Sequence, residues 1–205
     1  MVTTTRPFTL DDLLNMPQDG QIYEILGGQL VVWNAPATNH SLVVAELTHF
    51  LMTVQDAGYG YVFPGPHAVA FDYAVHGDQS RDVTHPDLYF IKLEREDRAA
   101  YRVFEGVPDL VIEVLSPSNA ERDLVEKLDI HRRNGVPHYW IVNPRDRTID
   151  QYTLLGPQYT AGQYGKPVTL REGDILTCPL FPSISVPLSR ILRNVRDRTR
   201  RPWRP

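Results

Sequence analysis

The stretch VPDLVIEVLSPSNAERDLVEKL, residues 107–128, decides how the chain is read. Its first part, Leu110 to Leu115, is a run of leucine, valine and isoleucine broken by one acid, Glu113. Bounded by turn residues, such a run predicts a buried strand. Side chains alternate between the faces of a strand. Leu110, Ile112 and Val114 therefore share one face, and Asp109, Val111, Glu113 and Leu115 the other. A carboxylate ionised among apolar neighbours is costly unless a partner compensates it. The second part predicts a helix punctuated at both ends. Ser118 and Glu121 form an S-x-x-E capping box, and Gly135 followed by Pro137 marks the stop. HYWIVNP then reads as a strand, so Asp109 to Val142 has the form of a strand–helix–strand crossover with its two strands parallel.

Upstream, FTLDDLLNMP (Phe8 to Pro17) predicts a short helix ended by Pro17, and QIYEILGGQLVVW a hairpin turned at Gly27-Gly28. From His40 to Ala57, Val43, Leu47, Phe50, Leu51 and Val54 recur at helical spacing, closing near Gly58. YGYVFPG and HAVAFDY read as strands around Gly65-Pro66, HGDQSRDVTH as a polar connection, and PDLYFIKL as another strand. Leu93 to Phe104 is charged and reads as irregular or briefly helical. Downstream, TIDQYTLL is a strand, and GDILTCPLFPSISVPL suggests short peripheral strands. The sum is one α/β domain with a mixed central sheet flanked by helices and an N-terminal hairpin, spanning 1–189, with an arginine-rich tail at 190–205.

With 205 residues the chain is long enough to bury a real core. No apolar run approaches the ~20 residues that cross a bilayer. The N-terminus lacks the apolar core of a signal peptide, which points to the cytoplasm. Cys178 is the only cysteine, so an internal disulfide and a cysteine-rich zinc site are both excluded. The net charge of −4 is unevenly spread: residues 190–205 hold seven arginines and one aspartate, leaving −10 on the remainder. Such a tail could meet phosphate backbones or simply be a solvated terminus.

Asp87 precedes the apolar run Leu88-Tyr89-Phe90-Ile91 much as Glu113 interrupts its own. If the two strands are neighbours, Asp87 and Glu113 converge. Two converging carboxylates repel unless a cation joins them or one takes a proton. Magnesium, with its preference for oxygen and for few protein ligands beside a phosphate, suits such a pair. Arginine or backbone donors are the alternative. Lys127 stands out because lysine is scarce, three residues against eighteen arginines. Its ammonium could orient water or offset developing charge. An Asp123–Lys127 helix pair, worth only about 0.3–0.5 kcal/mol, is the plainer reading.

HPDLYFI, GVPDLVIEVLSPSN, RDLVEKL and NGVPHYWIVNP together resemble a widespread bacterial family of restriction-endonuclease-type proteins within the PD-(D/E)XK nuclease superfamily. YEILGGQLVVW and APATNHSLVVAEL resemble its N-terminal hairpin and first helix, so the likeness covers roughly Phe8 to Leu188. The resemblance implies a metal clamp of Asp87 and Glu113, 26 residues apart, holding Mg2+ with Mn2+ as a substitute. Leu115 stands where the superfamily places its lysine, and the resemblance implies that Lys127 serves from the neighbouring helix instead. It also suggests Glu24 near the site.

His40, at a helix start, could lie near the cleft or be structural. Asp109 is about 13 Å from Glu113 at ~3.3 Å per residue, too far for both to bind one ion directly. It reads as the residue that starts the strand, with the reverse assignment of the two acids left open. The implied activity is metal-dependent endonucleolytic hydrolysis of phosphodiesters in DNA, with a homodimer suggested by the superfamily. The alternative is a catalytically weak nuclease-fold module that binds nucleic acid or protein.

Overall fold

The computed structural model of the chain describes residues 6–33, 37–98, 102–116 and 123–196. The N-terminal helix α1 (Leu10–Leu14) leads to a hairpin of β1 (Ile22–Leu26) and β2 (Gln29–Trp33). Gly27 and Gly28 turn it, with φ of 59° and 82°, both in the region where a Cβ is unfavourable. The long helix α2 (Thr38–Asp56) buries Val43, Leu47, Phe50, Leu51 and Val54, the stripe that its periodicity predicts. β3 (Gly60–Pro64) and β4 (Ala68–Ala70) follow, then the single turn α3 (Tyr73–His76). Next come β5 (Val83–Thr84), β6 (Leu88–Lys92), a 3-10 segment over Leu93–Arg98, β7 (Val103–Glu105) and β8 (Leu110–Val114).

The predicted capping box of Ser118 and Glu121 lies outside the described residues. The described part of that helix opens as a π-helical turn, Asp123–Lys127, and continues as α4 (Leu128–Arg133). Gly135, at φ 78°, ends it as predicted. The chain then forms β9 (His138–Asn143), β10 (Thr148–Leu155), β11 (Gln163–Tyr164), β12 (Val168–Arg171), β13 (Ile175–Leu176), β14 (Val186–Pro187) and α5 (Leu188–Ile191).

β8 lies inside the seven-stranded sheet, whose order is β11-β10-β9-β8-β6-β3 with β12 also on β10. It runs parallel to β9, as the crossover predicts, and antiparallel to β6. Every residue of β8 is buried, because both of its faces are covered. On one side Leu110, Ile112 and Val114 join Trp140 and Val142 beneath α2. On the other, Val111 and Leu115 join Tyr89, Tyr139 and Ile141.

The hairpin belongs to a separate five-stranded sheet, β2-β1-β5-β4-β7, formed partly by the connection read as merely polar. This sheet is two-faced. Leu26, Val69 and Phe104 pack toward the central sheet and Ile130 of α4, while Ile25, Ala70 and Val83 pack toward α1. Packing also continues past residue 189, since Ile191 and Leu192, assigned to the tail from sequence, are buried under the central sheet. Among the described residues no helix is long and apolar enough to cross a membrane.

Candidate active site

Antiparallel pairing of Leu88 with Ile112 brings the residues just beyond this pair, Asp87 and Glu113, to adjacent strands. Asp87 is fixed from two directions. Its Oδ2 accepts the backbone N–H of Val114 at 2.8 Å, and its Oδ1 lies 2.9 Å from Nε2 of His40, at the start of α2. Glu113 projects from the opposite face to α2, toward the hairpin and α4. There Lys127 Nζ donates to Glu113 Oε1 at 3.1 Å and lies 3.4 Å from Glu24 Oε1. The ammonium also stands 4.6 Å from the centre of the Trp33 ring, a cation–π contact. Glu24 shares its face of β1 with Leu26, pointing inward, and its Oε1 accepts the backbone N–H of His85 at 2.6 Å.

Lys127 is buried, as are both glutamates. Desolvation disfavours the charged form of a carboxyl and dominates here. Burial pushes Glu24 up to about 7, with Lys127 pulling against the rise and Glu113 adding to it. Glu113 is likewise pushed up to about 7 by burial, with Lys127 opposing and Asp87 adding. The arrangement thus crowds acids around one ammonium. An added cation beside Asp87 and Glu113 would relieve that repulsion. Hard oxygen donors from two carboxylates fit a divalent ion with few protein ligands, the habit of magnesium. Among the described residues no group of three or more His, Cys, Asp or Glu side chains converges as a metal cage.

His131 lies four residues beyond Lys127 and is wholly buried. Its Nε2 is 3.8 Å from Glu113 Oε1. Burial first, then the nearby Lys127, holds its pKa well below the usual imidazole range, so it faces Glu113 as a neutral ring. It packs edge-on to Phe71 and 4.5 Å from the Tyr139 ring. Sequence reading does not single out His131, although its i, i+4 spacing from Lys127 is the signal that would have. Trp33 and His85 were missed as well, because only the tertiary fold carries the hairpin end and β5 to this spot.

Asp109, a possible site residue from sequence, belongs elsewhere. It sits at the other end of β8 and is fully buried. Arg95 Nη1 and the Lys92 N–H each donate to its Oδ2 at 2.9 Å, and the Tyr159 hydroxyl donates to its Oδ1. The Arg95 guanidinium also lies 4.2 Å over the Tyr159 ring. These contacts satisfy Asp109 as a local tie among β6, β8 and the loop that carries Tyr159. The structure therefore brings together Glu24, His40, Asp87, Glu113 and Lys127, and leaves Asp109 out.

Lys127 does not owe its position to a lone helix pair. α4 is moored to the five-stranded sheet by Asp82, a buried residue of the polar connection. Arg133 Nε donates to Asp82 at 2.9 Å, Asn134 Nδ2 at 2.7 Å and the Gly27 N–H at 3.0 Å; Arg133 Nη2 donates as well. One carboxylate thus holds the hairpin turn and the end of α4 together. The Glu24 strand and the Lys127 helix are its two cargoes.

A mixed sheet with acids on neighbouring strands and a lysine from the adjoining helix defines the restriction-endonuclease-like fold class. The chain matches the family Uma2, described as "Putative restriction endonuclease", over residues 10–189, and belongs to that family. Its fold is similar to a crystal structure of "a putative nuclease belonging to DUF820" from Anabaena variabilis ATCC 29413. The TM-score is 0.71 at 20% identity, covering 91% of this chain and 98% of that one. No curated protein matches the chain.

Proposed function

We propose that this protein is a magnesium-dependent nuclease that hydrolyses phosphodiester bonds in DNA. The observation that carries the reading is the buried Lys127–Glu113 contact of 3.1 Å, formed on the strand next to Asp87. Glu113 and Lys127 are both buried there, beside the half-buried Asp87, although each is costly to bury alone. Asp87 and Glu113 would hold the ion, Mg2+ or Mn2+ in its place. Such an ion, when bound, supplies charge neutralisation at the phosphate and polarises water for in-line attack.

The chain's own groups do the positioning. His40 and the Val114 N–H orient Asp87, so its carboxylate does not have to be ordered when substrate arrives. Lys127 offers an ammonium that can shift from Glu113 to a phosphate oxygen or to the attacking water. Glu24, raised to about 7, can take up a proton near neutral pH. Trp33 and His131 exclude water from around these charges and so strengthen each contact.

The test is cleavage of supercoiled plasmid with magnesium present, by wild type, Glu113→Gln and Lys127→Met. Loss of cutting by more than tenfold in both variants is expected. Equal cutting by all three proteins would sink the assignment. Duplex binding with no cleavage under any divalent ion would place the chain among nuclease-fold binding modules instead.

A further inference from the structure

The candidate site is more open at Asp87 than at its other charged groups. Side-chain exposure is 21% for Asp87, against 4% for Glu113, 5% for Lys127 and 1% for Glu24. A ligand approaching the pair of acids therefore meets it from the Asp87 side. The next strand on that side is β3, which ends the sheet. It is held close: the Gly65 N–H donates to the Asp87 carbonyl at 2.8 Å, and a Cβ on Gly65 would stand 2.7 Å from the Pro86 carbonyl oxygen. Pro64, Gly65 and Pro66 are exposed.

Beside this corner lies an aromatic group that the proposed chemistry does not use. Phe63 of β3 pairs with Tyr89 of β6, two residues along from Asp87, and the alternation of side chains puts all three on one face. The Phe63 and Tyr89 rings are stacked, with centroids 4.8 Å apart and planes at 5°. His67 stands 5.5 Å from the Phe63 ring and 5.9 Å from the Tyr89 ring. Rings on opposite faces of Phe63 would be nearly twice that far apart, so Tyr89 and His67 do not cover both faces. The outer face of Phe63 meets no ring among the described residues, and the residue is only partly buried.

The group is preorganised. Tyr89 is buried, which raises its phenol above the usual range, so the hydroxyl keeps its proton. It donates to Nδ1 of His67 at 2.6 Å and pins that ring in place. At ~3.3 Å per residue and ~4.8 Å between strands, Phe63 stands roughly 8 Å from Asp87. That is about the span from a phosphate to the base of an adjoining nucleotide. His85 connects the two places. Burial first, then Lys127 and His67, holds its ring down to about 4, so His67 and Lys127 are both within its electrostatic reach. The His85 Nδ1 is buried without a hydrogen-bond partner among the described residues, a polar atom that an incoming nucleotide can satisfy.

We propose that Phe63, backed by Tyr89 and His67, is a stacking platform for an unpaired nucleobase beside the scissile phosphate, so that the preferred substrate is single-stranded or splayed DNA. Every base has a face to stack, so the platform tolerates any sequence, but a base inside a duplex has both faces covered by its neighbours. The proposal rests on the nuclease reading for where the phosphate lies, and its test needs no cleavage.

Anisotropy in EDTA at low salt compares a fluorescein-labelled oligothymidine strand with an abasic strand of the same length and charge. Wild type should bind the oligothymidine about fivefold or more tightly. Phe63→Leu should lose that preference while binding the abasic strand as wild type does, and Phe63→Trp should keep it. Melting temperatures check that both variants retain the fold. Equal affinity of wild type for the two strands, or no binding of oligothymidine at all, would overturn the platform. So would a base preference that survives Phe63→Leu. Glu113→Gln should keep the preference. Base-dependent binding without plasmid cleavage would thus sink the nuclease reading alone, and cleavage without base preference the platform alone.

Discussion

Asp82 offers the most quantitative test of how the site is assembled. Replacing it by alanine removes the acceptor for Gly27, Arg133 and Asn134 together. Breaking a buried charge pair from one side costs about 3–5 kcal/mol. The Arg133 side chain is 38% exposed and can turn to water, which puts the expected loss near the lower end, about 3 kcal/mol. At ~2–4 °C per kcal/mol for a chain of this size, the melting temperature should drop by roughly 6–12 °C.

The assay is thermal unfolding of Asp82→Ala, Arg133→Met and the double variant. A coupling of at least about 1 kcal/mol is expected, because removing both partners leaves no stranded charge. Since α4 continues directly from the turn that carries Lys127, the single variants should also lose more plasmid cleavage than their unfolded fraction explains. A shift below about 2 °C for Asp82→Ala, or strict additivity in the cycle, would refute the mooring.

Three further outcomes follow from other parts of the fold. Asp109→Asn should destabilise by about 3 kcal/mol through its ties to Arg95, Lys92 and Tyr159. Cleavage per folded molecule should stay at the wild-type level; a loss like that of Glu113→Gln would return Asp109 to the site. Gly135→Ala should cost at least about 2 kcal/mol by denaturant titration, from positive φ and backbone crowding. The added Cβ would stand only 2.3 Å from the Thr160 nitrogen. Cys178, 2% exposed and with its thiol pushed up to about 12 by burial, should resist a thiol reagent until the protein unfolds. Rapid labelling of the native chain would contradict its place in the core.

What the sequence determined by itself was whatever repeats locally. The alternation around Glu113, the apolar stripe of α2, the Gly-Gly turn and the stop at Gly135 all appear where their patterns predict. The parallel pairing of β8 and β9 followed from the same crossover. Asp87, Glu113 and Lys127 were legible as candidates because acids in apolar strands and a rare lysine break a local pattern. Their meeting followed only from the family resemblance and from assuming that the two strands are neighbours, since convergence depends on strand pairing and helix docking rather than on neighbours in the chain.

Tertiary structure alone decided three things. A turn of π-helix differs from an α-turn by too little, over five residues, for side-chain periodicity to register. Asp82 lay hidden in a polar connection, because a polar loop reads as solvated until another element buries it. From the sequence an Asp123–Lys127 helix pair is the plainer reading of Lys127; the packing of this helical segment against β8 and the hairpin gave it Glu113, Glu24 and Trp33. A buried charge must find its partners wherever the fold brings them, and for Lys127 they came from strands well separated along the chain.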